Sequence, residues 1–242
     1  MLMAYLDDYP TLATTDPELV EYVDRFVAGE VLPHGSLDDR TRLIVQLAAL
    51  IAGQAHGAYR VLLGTVLASG VSPVEVREIV YQAVPYVGLG KALDALTITN
   101  EVFVKRGVAL PPPAQSTTTP ANRLARGRQV QGEVVGHAGV DAMYANAPAD
   151  LAHIQVYLSG NCFGDHLTRT GLDLPTRELI TFAFLVAQGG CDPQVKGHVR
   201  GNLNVGNDRA RLIDVVTQLL PYIGYPRSLN AINAINEIIP PA

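Results

Sequence analysis

The chain has 242 residues, 48% of them hydrophobic and 17% charged, enough to bury a core as one large domain or two smaller ones. A formal charge of −5 and a pI near 5.6 exclude broad electrostatic attraction to phosphate backbones or anionic lipid, so neither nucleic acid nor membrane is expected as a partner. Two cysteines, Cys162 and Cys191, are too few for the disulfide framework of a small secreted fold and have no metal-ligand spacing, so no metal site is expected from them.

In chain order, the N-terminus carries Asp7, Asp8 and Pro10 where an export signal would be apolar, and no run of about eighteen apolar residues follows. A reducing cytoplasm is therefore the expected location. Leu43, Leu47, Leu50 and Ile51 fall at three- and four-residue spacing, an apolar stripe along one helix. Ser72-Pro73-Val74-Glu75 then supplies an N-cap, a first-turn proline and a capping-box glutamate for the next helix. Pro111 to Pro120, rich in proline and short polar residues, reads as an extended, solvated connector. The basic cluster Asn122 to Arg128 reads as a solvated helix start. Beyond it, Leu179 to Ala187 is apolar nearly all round, which predicts a helix surrounded by others. Asp192-Pro193 predicts one more helix start, Gly206-Asn207 the boundary to the next helix, and Pro240 the end of the last.

Much of the chain is written twice. Gln82…Pro85-Tyr86-Val87-Gly88 recurs as Gln218…Pro221-Tyr222-Ile223-Gly224, a displacement of 136 residues from Pro85 to Pro221 that also carries Gly70 onto Gly206 and Asn100-Glu101 onto Asn236-Glu237. Upstream, Leu37-Asp38…Thr41-Arg42-Leu43-Ile44 echoes Leu172-Asp173…Thr176-Arg177-Glu178-Leu179-Ile180, with one extra residue in the later copy. Strand alternation is absent from both. The expected fold is all-α: two tandem helical bundles, a first repeat over residues 1–110, a linker over 111–122 and a second repeat over 123–242 that holds the candidate site.

Phe163-Gly164-Asp165, Gly171-Leu172-Asp173…Thr176-Arg177-Glu178, Gly189-Gly190-Cys191-Asp192-Pro193-Gln194…His198 and Pro221-Tyr222-Ile223-Gly224-Tyr225-Pro226-Arg227-Ser228-Leu229-Asn230 resemble the carboxymuconolactone decarboxylase family. The likeness covers most of 123–239, with 37–104 as a more diverged copy. It implies a helical fold and assembly into homo-oligomers, trimers or others. One branch of the family decarboxylates a carboxylated lactone without metal or organic cofactor. Another, similar to alkylhydroperoxidase D, reduces peroxides with a C-x-x-C pair, a histidine four residues beyond and an upstream glutamate. Position by position, Cys191 matches the first cysteine, Gln194 replaces the second, His198 matches the histidine and Glu178 the glutamate.

Those four are the candidate catalytic residues. Placing Asp192 as N-cap sets Cys191 just before a helix N-terminus, where amides and dipole favour a thiolate, while an ionised Asp192 opposes it. Seven residues, about 10 Å along a straight helix, separate Cys191 from His198 and preclude a direct dyad. Gln194 and His198 share one face, so the amide could fix the imidazole tautomer. The first copy has Ala55, Ala58 and Leu62 in place of Cys191, Gln194 and His198, and reads as scaffold, with His56 a weak contributor to the pocket wall. Cys162 is a candidate resolving thiol, and Asp165 and His166 candidate border residues. The leading expectation is thiol-dependent peroxide reduction of a small-molecule substrate with an external thiol reductant or Cys162 closing the cycle. The alternatives are cofactor-free lactone decarboxylation and a non-catalytic binding module.

Overall fold

The computed structural model describes Tyr9 and residues 11–241; the N-terminal stretch holding Asp7, Asp8 and Pro10 lies outside them. Twelve helices and no strand are found among the described residues. A short α1 (Leu12–Thr15) leads into α2 (Pro17–Phe26), which runs on as a π-helical turn over Val27–Val31. Then come α3 (Asp39–Ala52), α4 (His56–Ala68), α5 (Pro73–Val87) and α6 (Leu89–Lys105). After the connector, α7 (Arg123–Val135) and α8 (His137–Ala145) precede α9 (Ala152–Tyr157), which continues as a longer π-helical segment, Leu158–Leu167. The chain closes with α10 (Leu174–Gln188), α11 (Asp192–Asn204) and α12 (Arg209–Ile238). No helix is long and apolar enough to cross a membrane among the described residues.

The internal displacement seen in the sequence is also structural. It carries α4 onto α11 and α5 onto the first part of α12, where Gly224, with φ 76° and ψ 165°, bends the helix as Gly88, with φ 93°, separates α5 from α6. Both glycines occupy backbone that side-chain-bearing residues rarely adopt. The repetition extends upstream of the Leu37 and Leu172 motifs: Val27–Val31 corresponds to the end of the second π-helical segment, so the helix entering each copy is repeated too. Helix α10 is one residue longer than α3, which locates the extra residue of the later copy within that helix.

The same caps start matching helices. Asp38 accepts from the Thr41 amide at 2.9 Å and Asp173 from the Thr176 amide at 2.8 Å. Ser72 and Glu75 form the expected capping box, and Asp208 takes the equivalent place before α12, accepting from the Arg211 amide at 2.8 Å. The other boundary differs by one residue: Cys191, not Asp192, is the N-cap of α11, and Asp192 and Pro193 occupy its first two positions.

Helices α3 and α10 pack against each other at the centre, and one apolar core runs through both copies. All of Leu179 to Ala187 is buried in it. The repeated glutamines tie the halves together reciprocally. Gln82 donates to the Arg177 carbonyl at 2.8 Å and the Thr181 hydroxyl at 3.0 Å, while Gln218 donates to the Val31 and His34 carbonyls at 2.7 and 2.9 Å. The connector is extended but not free: Thr117 and Thr118 donate to the carbonyls of Thr168 and Gly164, and the Thr170 amide donates to the Gln115 carbonyl at 3.0 Å. Helix α7 lies backbone-to-backbone on the second π-helical segment. A Cβ on Gly127 would stand 1.8 Å from the Ser159 carbonyl oxygen, so only glycine permits this approach.

Candidate functional site

Glu178 is set by the Asp173 cap at the start of α10, one turn into the helix, and is completely buried. His198 sits midway along α11, and its Nδ1 lies 2.8 Å from Glu178 Oε2. A carboxylate only accepts, so Glu178 places the ring hydrogen on Nδ1 and leaves Nε2 as the working nitrogen. His198 keeps 17% side-chain exposure, and Nε2 has no partner among the described residues. The second carboxylate oxygen, Oε1, is buried without a partner.

A buried amide pair holds the two helices in this register. Asn202 donates to the Glu178 carbonyl at 3.2 Å and the His198 carbonyl at 2.7 Å, and Asn207 donates to Asn202 Oδ1 and the Pro175 carbonyl, both at 2.9 Å. Gly201 makes room for the carboxylate, since a Cβ there would lie 2.8 Å from Glu178 Oε2. In the first copy the displaced positions hold Val66, Val71 and Thr65. The first half lacks both the site and the groups that brace it.

The far wall comes from the other copy. Tyr86, at the end of α5, stands edge-on to the His198 ring at 5.7 Å between centroids and stacks on Phe184 at 6.3 Å. Its hydroxyl is buried close to Cys162, Glu178 and Thr181 but makes no well-aligned hydrogen bond. Burial first, then the neighbouring Cys162 and Glu178, raise its pKa well above the ordinary phenol value, so it remains a proton-bearing hydroxyl. The sequence reading missed Tyr86 as a site residue although it quoted the motif, because only the fold brings α5 to His198.

The cysteines lie apart from this pair in different ways. Cys191, half-buried, directs its thiol to the Leu185 carbonyl at 3.3 Å, and burial followed by the adjacent Asp192 pushes its pKa up. The turn is held by Arg227, whose guanidinium donates to the Ala187 carbonyl and lies against Gly189. Cys162, in a small apolar cluster with Val134, Phe163 and Leu167, faces Tyr86 and Glu178, and burial drives its pKa to about 12. Both thiols are free. Gln194 is exposed and makes no side-chain hydrogen bond among the described residues, so Glu178, not Gln194, orients His198.

Of the border residues, Asp165 pairs with Arg123 and accepts from Asn161 at 3.1 Å, which ties it to α7. His166 is partly buried with Nδ1 unpartnered, and burial lowers its pKa. His56 is exposed on the first copy, 3.8 Å from Asp94. No group of three or more metal-ligating side chains is assembled among the described residues.

A tandem all-helical protein carrying one buried carboxylate–imidazole pair, walled by its own duplicate, is what the fold and site define. The model of the carboxymuconolactone decarboxylase family matches residues 17–101 and 153–237, and the chain belongs to that family. The two matched segments begin at the two entry helices and leave α7 and α8 between them. Among curated proteins it is similar to a 4-carboxymuconolactone decarboxylase of Acinetobacter baylyi, 29% identical over 116 residues that make up 48% of this chain and 86% of that protein.

Proposed function

We propose that the chain is a cofactor-free acid–base enzyme that decarboxylates a small carboxylated lactone, as its Acinetobacter relative is named for doing. The observation that carries this reading is the buried Glu178–His198 pair, oriented at Nδ1 and unblocked at Nε2, beside a protonated Tyr86. Loss of CO2 from such a substrate leaves an electron pair that the conjugated lactone carbonyl accepts, and a proton must return to carbon. His198 delivers that proton from Nε2, Glu178 stabilises the imidazolium, and the proton is regained from solvent. In this reading the Tyr86 hydroxyl, which keeps its proton, donates to the oxygen that gathers charge.

The thiol-dependent reading has less support. It requires a thiolate, and burial disfavours that form at both cysteines, with Asp192 adding to the effect at Cys191. The test is CO2 release from 4-carboxymuconolactone. His198→Ala should lower turnover on the order of 100-fold or more, while Cys191→Ser keeps most of it. The reverse ranking would favour the thiol reading.

We also propose assembly into a homo-oligomer. Leu89 and Leu93 on α6, and Tyr225 and Leu229 at the displaced positions on α12, are apolar and exposed in both copies. Sedimentation velocity should find more than one chain per particle.

A further inference from the structure

A cavity of about 510 Å³ opens between the copies, not lined by His198, and is walled by Val74, Arg77, Tyr81, Arg169 and Pro111 to Pro113 of the connector. Its charge is unbalanced. Arg77, Arg169 and the neighbouring Arg177 surround one buried carboxylate, Glu78, which Arg169 grips through Nε and Nη2 at 2.9–3.0 Å and Arg177 through Nη2 at 2.9 Å. Arg77 gets no share of it. Among the described residues its only hydrogen-bond acceptor is the neutral Asn100 Oδ1, at 2.7 Å from Nη2, and its Nε is buried without a partner there, the residue being 9% exposed.

Buried charge without a counter-charge is costly, and a third guanidinium beside a carboxylate already shared by two leaves positive charge that an anion would balance. Arg77 Nη1 and Arg169 Nη1 are both without acceptors among the described residues. Both guanidiniums lie over the Tyr81 ring, at 5.7 and 5.0 Å from its centre. Apart from Gln115 and the paired Glu78, the rest of the lining is Val74, Ala114 and the three prolines, which suits an apolar body and rejects a heavily hydrated polyanion. At the displaced positions stand Ile213 and Thr217 for Arg77 and Tyr81, and His34 for Arg169, so the arginine pair is no part of the repeated scaffold.

We propose that this cavity binds a small planar carboxylate, its carboxyl taken by Arg77 and Arg169 and its flat body held between Tyr81 and the connector prolines. The site is separate from the Glu178–His198 pair and does not depend on the reading given to that pair.

Calorimetric titration of the full chain with sodium benzoate, with benzamide as the uncharged control, tests it. Saturable binding of benzoate but not benzamide is expected, weakened on the order of tenfold or more in Arg77→Met and unchanged in His198→Ala. Nuclear Overhauser contacts from the benzoate ring to Tyr81 should accompany binding. Should Arg77→Met fail to fold, Arg77→Lys, which keeps the charge and loses the fork, is expected to bind measurably more weakly than the parent. Absence of saturable benzoate binding, equal binding of benzamide, full binding in the folded Arg77 variant, or loss of binding in His198→Ala would each overturn the proposal.

Discussion

At Glu178 the cost of burying a carboxylate is met by a single imidazole. One oxygen lies 2.8 Å from His198 Nδ1 and the other has no partner, which leaves an acceptor inside the site for a substrate hydroxyl or a water. The thiols are the opposite case, groups whose surroundings suppress chemistry. Cys162, with a pKa pushed to about 12 by burial, and Cys191, raised by burial and Asp192, should react with iodoacetamide at pH 8 far more slowly in the folded protein than in urea. Mass spectrometry of the time course checks this, and rapid native labelling of Cys191 would reopen the peroxide reading. Glu178 and His198 could be read from the sequence because they stand in a quoted family motif. Asn202, Asn207 and Gly201 could not, since two look like ordinary helix residues and Asn207 like an ordinary helix boundary until each is set against its duplicate. There the substitution of Val66, Val71 and Thr65 marks them as belonging to the site.

At the scale of the helices, short polar signals predicted the starts well, because capping depends on residues three apart in the chain. Asp38 shows what such a cap contributes. Burial works to raise its pKa, but the hydroxyl and amide of Thr41, with Arg211 nearby, outweigh that and hold it below the ordinary carboxylate value. A pKa lower in the folded than in the unfolded chain gives stabilisation that is complete above the unfolded value and lost as pH falls through the folded one. Asp38→Ala should therefore cost about 1 kcal/mol near neutrality. The difference from the parent should shrink as denaturation midpoints are measured below about pH 4. The π-helical segments were not legible. The second widens the turn by one residue where α7 must approach through Gly127 and Gly164, a long-range demand that leaves no local pattern. The one-residue error at the start of α11 has a similar origin: the Asp192 side chain is not used as a cap, and the turn is held instead by Arg227.

Across the whole molecule, the duplication was the most readable feature and the way the copies meet was the least. Displacement of a motif reveals a repeat, but not which faces of it touch. The continuous core through α3 and α10, with Gln82 and Gln218 bonded across it, makes the two copies one cooperative unit. Calorimetry should give a single transition whose van't Hoff and calorimetric enthalpies agree; two resolved transitions would contradict that reading. The same crossing explains the repeated Pro-Tyr-x-Gly segment. Tyr86 of the first copy reaches His198 of the second, and Tyr222 lies near Arg42 of the first.

An exchange of tyrosines binds the fortunes of the two halves unequally. The earlier half carries no acid–imidazole pair of its own, yet the pair in the later half leans on an aromatic ring that the earlier one supplies. Fusion has made a heterodimer that cannot dissociate, in which one member persists through what it lends to its neighbour.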